Sequence, residues 1–162
     1  MKDLIFDRTL LDVEVALTSQ NSTQLEKGAY NYNDLNRVET WCGYLAEKLK
    51  PYGFIQELSI KKNWSMKDYP TRAEIDRIRE NIDTLKEFCY AIQTREIIYN
   101  NTLNYDQANV LEKILFDIDE YLENIVRKLN LDYQVATLLV TKKYISLKVE
   151  EGGENGTTEK SI

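Results

Sequence analysis

Apolar residues recur along this chain at three- and four-residue steps over four stretches, the spacing that gathers them on one side of a helix. Leu10, Val13 and Leu17 define the first, over residues 7–18, with Asp7 as its N-cap. Leu35, Val38, Cys42, Leu45 and Leu49 define the second, capped by Asn33 or Asp34 and ended by Pro51 and Gly53. The third opens on Thr71-Arg72-Ala73-Glu74, a capping box, and carries Ile75, Ile78, Ile82, Leu85, Cys89 and Ile92, with a break near Thr94. The fourth starts at Asn104 or Asp106 and runs to about Asn130 through Leu111, Ile114, Leu115, Ile118, Leu122, Ile125 and Leu129. Seams of this kind bury their faces only against one another, so a mainly α fold follows, a bundle of about four helices. Two segments depart from this spacing and predict a small β element: residues 54–62, where Phe54–Ile60 alternates cleanly only in its second half, and residues 135–149, rich in β-branched and apolar residues with Ile145, Leu147 and Val149 alternating. The reading divides the chain into a helical domain over 1–131, a β-rich attachment segment over 132–151 and a disordered, Gly-rich tail over 152–162.

Composition narrows what such a bundle can do. The 162 residues carry 21 basic and 27 acidic side chains, a net charge of −6, and the one local basic group is Lys142, Lys143 and Lys148. A phosphate-backbone binder needs a basic stripe, so nucleic acid is not an expected partner. The longest nearly apolar run, Val135–Val140, is far short of the ~20 residues that span a bilayer, so membrane insertion is not expected. Met1–Asp7 places an acid where an apolar signal core would continue, so no export signal is read there. Cys42 and Cys89 lie on apolar helical faces and read as buried thiols rather than a disulfide.

The chemistry is restricted further by the absence of histidine. That removes the usual base near neutral pH, the Ser-His and Cys-His nucleophile pairs and the commonest metal ligand. No Gly-rich phosphate loop occurs, and no cofactor, metal or catalytic residue is assigned. Asp106, Glu112, Asp117, Asp119, Glu120 and Glu123 crowd the fourth helix and project mostly opposite its apolar stripe, which reads as a solvated face rather than a calcium site. Tyr30, Tyr32, Trp64 and Tyr69 are candidates for an aromatic contact patch, with Trp64 closing the bundle end as the alternative. Tyr144, Ile145, Leu147 and Val149 are candidates for contacts with other subunits.

Several strings are more specific than any periodicity. Phe6-Asp7-Arg8-Thr9 precedes Lys27-Gly28-Ala29-Tyr30-Asn31-Tyr32-Asn33-Asp34-Leu35-Asn36-Arg37-Val38-Glu39; then come Asn63-Trp64, Tyr69-Pro70-Thr71, and Leu103-Asn104-Tyr105-Asp106-Gln107-Ala108-Asn109-Val110-Leu111-Glu112-Lys113-Ile114-Leu115. This ordered set resembles a domain that recurs in structural proteins of tailed bacteriophages and prophages of low-GC Gram-positive bacteria. The resemblance covers about residues 4–128; the family's aromatic-Ser-Gly ending is missing here, and Val135–Val149 departs from its pattern. It implies a virion component of the tail, baseplate or fibre region, made in the host cytoplasm, whose partners are other virion proteins and copies of itself. Within the strings, Gly28 suits a tight turn, and Arg8 or Arg37 can pair with Asp34 or Glu39 to fix the first two helices. The expectation is a non-enzymatic assembly protein; host-surface carbohydrate binding, with a cell-wall glycan as partner, is the alternative, and a carboxylate-only glycan hydrolase a third.

Overall fold

A computed structural model describes residues 3–19, 27–89, 96–99 and 103–152, with side chains as far as residue 145. It contains four helices among the described residues: α1 (Leu10–Thr18), α2 (Tyr32–Leu49), α3 (Arg72–Phe88) and α4 (Tyr105–Gly152), with a 3₁₀ turn over Lys50–Tyr52. The chain divides into two units, Met1–Tyr121 and Leu122–Ile162. The mainly helical class is therefore as the seams require.

Each helix starts on a reciprocal cap, which satisfies amides that the first turn leaves without partners. Thr9 and Asp12 serve α1, Asn31 and Asp34 serve α2, and Thr71 and Glu74 serve α3. At α4 the Gln107 amide donates to Asn104 Oδ1 at 2.8 Å while the Asn104 amide donates to Gln107 Oε1 at 3.3 Å. The Thr71 box and the Asn104 start match the sequence reading. The other two starts shift: Asp7 pairs with Lys27 rather than capping α1, and Asn31 replaces Asn33 or Asp34 as the α2 cap.

The core of the first unit is the predicted set, with Leu35, Val38, Cys42, Leu45 and Leu49 from α2, Ile78, Ile82 and Leu85 from α3, and Leu111, Ile114, Leu115 and Ile118 from α4 all buried. The stripe read on α1 does not hold. Leu10 and Leu17 are exposed, and Ala16 is the buried residue of that helix. Ile92 and the break near Thr94 lie outside the described residues.

The β element is corrected in both halves; no strand occurs among the described residues. Residues 54–64 form no regular element, and their polar backbone is met by side chains rather than by a second strand. Asn81 of α3 donates to the Ser59 carbonyl at 2.6 Å and accepts the Ser59 amide at 3.1 Å. Asn36 of α2 does the same for Trp64, at 2.8 and 3.0 Å. A carboxamide carries the donor and acceptor of a peptide group side by side, so it substitutes for a neighbouring strand one residue at a time. Residues 135–149 continue α4, which runs past Asn130 to Gly152, so the β-rich 132–151 segment is helical. The tail over 153–162 lies outside the described residues.

Gly53 ends the 3₁₀ turn at φ 96°, a conformation that suits a residue without Cβ. Gly28 has a different reason to be glycine. A Cβ there would lie 1.9 Å from the Asp12 carbonyl oxygen and 2.7 Å from the Ala16 Cβ, so the helical backbone at Gly28 rests directly on α1. The tight-turn reading of Gly28 is replaced by close approach.

Candidate functional site

The polar residues of the specific strings converge inside the first unit. Arg8 Nη2 donates to Asp34 Oδ1 at 2.9 Å and to Glu112 Oε1 at 2.8 Å. Arg37 grips both oxygens of Glu112, through Nε at 2.9 Å and Nη2 at 2.8 Å, and also bonds Asp34. All four side chains are essentially out of solvent. Two guanidiniums face two carboxylates, so the cluster is neutral in sum, the condition under which buried charge is tolerated.

The remaining lone pairs are met by backbone. The Ile5 amide donates to Glu112 Oε2 at 2.7 Å, and the Asn31 amide to Asp34 Oδ2 at 2.8 Å. Asp34 is thus at once the α2 capping residue and a member of the cluster. Asn109 of α4 clips the Arg8 backbone, donating to its carbonyl at 2.8 Å and accepting its amide at 3.0 Å. The N-terminal segment is in this way threaded between α2 and α4.

Electrostatics follow the geometry. Burial works against the Arg37 charge, but the hydrogen bonds and charges of Glu112 and Asp34 outweigh it and push its pKa up. Tyr30 packs its ring 5.3 Å from the Arg8 guanidinium, and burial, then Glu112 and Asp34, raise its phenol well above the ordinary range. Its hydroxyl is buried without a hydrogen-bond partner, as is Arg8 Nε.

A third buried carboxylate, Glu39, lies midway along α2. Glu39 receives both Arg77 guanidinium nitrogens, the Lys61 amide at 2.9 Å and the Trp64 indole N–H at 3.2 Å. Lys61 Nζ lies 3.6 Å above the Trp64 ring and 3.2 Å from Glu74.

Both pairs expected to fix the early helices are therefore partly met. Arg8 and Arg37 do hold Asp34, while Glu39 belongs to Arg77 and Trp64 instead. Glu112 corrects the sequence reading: it is buried at the centre of the cluster and is not part of a solvated face. Asp106, Glu120 and Glu123 are exposed, and Asp119 pairs with Lys48 at 2.8 Å. Among the described residues no group of three or more acidic or thiol side chains is placed to hold a metal ion.

The candidate contact residues separate. Trp64 is buried, Tyr30 has its hydroxyl buried, Tyr32 is half-buried, and Tyr69 is 88% exposed. They do not share one exposed aromatic surface. Tyr144 and Ile145 are exposed on α4; Leu147 and Val149 fall within the same helix, and their side chains lie outside the described ones. A pocket of about 20 Å³, room for roughly one water molecule, lies beside Arg79, Ile98, Asp106, Gln107 and Leu111.

Chemically, the cluster has little reactive capacity. Each carboxylate oxygen already accepts from an amide or a guanidinium, and no group in it faces solvent. Set against protein-family models, curated proteins and solved structures, the chain matches none of them.

Proposed function

We propose that the chain is a structural component of the tail, baseplate or fibre region of a phage-type particle, acting by protein–protein assembly and not by catalysis. One observation carries the reading. Arg8, Tyr30, Asn31, Asp34, Arg37, Asn109 and Glu112, which give the chain its family resemblance, are also the residues tied into the buried cluster. Strings that specify an interior leave the outer surface free to be matched to a partner. The second unit offers such a surface, with Leu129, Leu131, Tyr133, Val135, Leu138, Leu139 and Val140 exposed. No helix among the described residues is long and apolar enough to cross a membrane.

The test is fractionation of particles from a host expressing a tagged chain. Incorporation into purified virions or tails in a fixed copy number, lost on truncation after Asp132 while the first unit stays folded, supports the proposal. A chain absent from particles contradicts it.

A further inference from the structure

The apolar positions of α4 repeat every eleven residues. Leu111, Ile114 and Ile118 are followed by Leu122, Ile125 and Leu129, then by Tyr133, Ala136 and Val140, with Tyr144 opening the next set. Eleven residues in three turns is about 3.67 per turn, near the helical 3.6, so the row keeps to one face of the helix with a slight right-handed drift. A seven-residue repeat from Leu122 would meet Asp132 and Lys143 instead. Leu111, Ile114 and Ile118 are buried, whereas Tyr133 is 75% and Val140 70% exposed. Helices draw most of their stability from packing an apolar face, so a row this long in water lacks its natural counterpart.

We infer that the row from Leu129 to Tyr144 is a self-association surface, occupied by the same stretch of a second copy running antiparallel. This rests on the assembly reading above and names its partner. Charge selects the occupant. At about 100° per residue, Asp132 and Lys143 flank the row on one side, and Asn130, Thr137 and Thr141 flank it on the other. The two threonine hydroxyls donate to their own helix, to the Tyr133 and Thr137 carbonyls at 2.9 Å each. An antiparallel copy brings like flanks together, so Asp132 of each chain meets Lys143 of the other. That alignment also sets Tyr133 opposite Tyr144 and Ala136 opposite Val140, so charge and apolar register agree. A parallel copy would leave both charges facing the neutral flank. The opposite side of the helix carries Leu131, Val135, Leu138 and Ile145, but Lys142 interrupts that row.

Sedimentation equilibrium of the full chain tests this. The expected result is a monomer–dimer equilibrium in which Val140→Glu with Tyr133→Glu raises the dissociation constant about 30-fold or more, as loss of a central contact does. Asp132→Lys alone weakens the dimer by about 2- to 5-fold, and adding Lys143→Asp restores it. A second readout does not depend on the variants folding identically: Asp132→Cys chains mixed with Lys143→Cys chains form a disulfide across the interface faster than either forms with itself. A monomer at all concentrations overturns the inference. So does a dimer broken by Leu138→Glu with Ile145→Glu but not by the Val140 variant, or preferential Asp132→Cys self-crosslinking. A monomer that still enters particles overturns the self-association alone; a dimer that never enters them overturns the particle placement alone.

Discussion

Arg37 lays Nε and Nη2 along the two oxygens of Glu112 at 2.9 and 2.8 Å, although 75 positions separate the two residues. The planar fork of a guanidinium matches a carboxylate in this way, and an ammonium does not. Arg8 uses both arms of its fork, one nitrogen bridging Asp34 and Glu112 and the other donating to the Ile5 carbonyl. Arg8→Lys keeps the charge but has one nitrogen where two are used. It is expected to lower unfolding free energy by about 1.5–3 kcal/mol, the range for a hydrogen bond to a charged group, measured by urea titration. An unchanged midpoint would mean that charge alone suffices at this position.

The carboxamide clips give a second expectation. Asn81→Ala removes the partner of the Ser59 amide and leaves the Ser59 carbonyl to Arg77 alone, and Asn109→Ala removes both partners of the Arg8 backbone. Each is expected to cost about 1–3 kcal/mol in the same titration, because a polar group left without a partner bears its desolvation. Asn81→Asp keeps the acceptor but sets a carboxylate oxygen against the Ser59 carbonyl in a buried site, so it should recover none of the alanine loss. Equal stability of all three proteins would show that water replaces the side chain without loss.

Gly28→Ala probes the close approach to α1. A methyl group that close to the Asp12 carbonyl must push the Lys27–Gly28 backbone off α1, an overpacking cost of about 1–3 kcal/mol. Hydrogen exchange should show α1 amides losing protection first. Gly53→Ala, at positive φ with no atom within 4 Å, is expected to lower global stability by about 1–2 kcal/mol and to leave α1 protection unchanged. Equal α1 exchange in both variants would contradict the contact.

The helix caps set a pH dependence. The Thr71 amide holds the Glu74 carboxyl below its ordinary value of 4.5, and hydrogen bonds from Thr9 do the same for Asp12 from 3.8. A lowered folded-state pKa gives stability that is complete above the unfolded value and is lost as pH falls through the folded one. Glu74→Gln retains a capping acceptor with no proton to gain. Its Tm should therefore lie below wild type near neutral pH, with the gap narrowing below about pH 4. A gap that stays constant from pH 7 to pH 3 would contradict the ionised cap.

Much of this fold was legible because its cues are local. The seam from Leu35 to Leu49 repeats over four turns, and Thr71 with Glu74 is a cap in sequence as in structure. The strand readings failed for two separate reasons. Residues 54–64 form no strand because their backbone partners Asn81, at Ser59, and Asn36, at Trp64, are side chains of helices, which no alternation pattern reveals. Ile145, Leu147 and Val149 alternate because the helix there is apolar on two sides, and period two and period 3.6 are hard to separate over so few residues. The site was half visible. Arg8, Arg37 and Asp34 stood out as pairing partners, whereas Glu112 was grouped with its acidic neighbours. Its position one turn from both Ala108 and Leu115, each buried, was the available signal.

The most direct measurement is a double-mutant cycle on Arg37 and Glu112, by equilibrium denaturation of Arg37→Met, Glu112→Gln and the combined variant. If these groups hold the interior together, each single change costs about 3–5 kcal/mol, because it strands a buried charge. The double change should then cost less than their sum by about 1–3 kcal/mol. Additive effects below about 1 kcal/mol each, with assembly lost all the same, would contradict an architectural role and point to direct participation in binding.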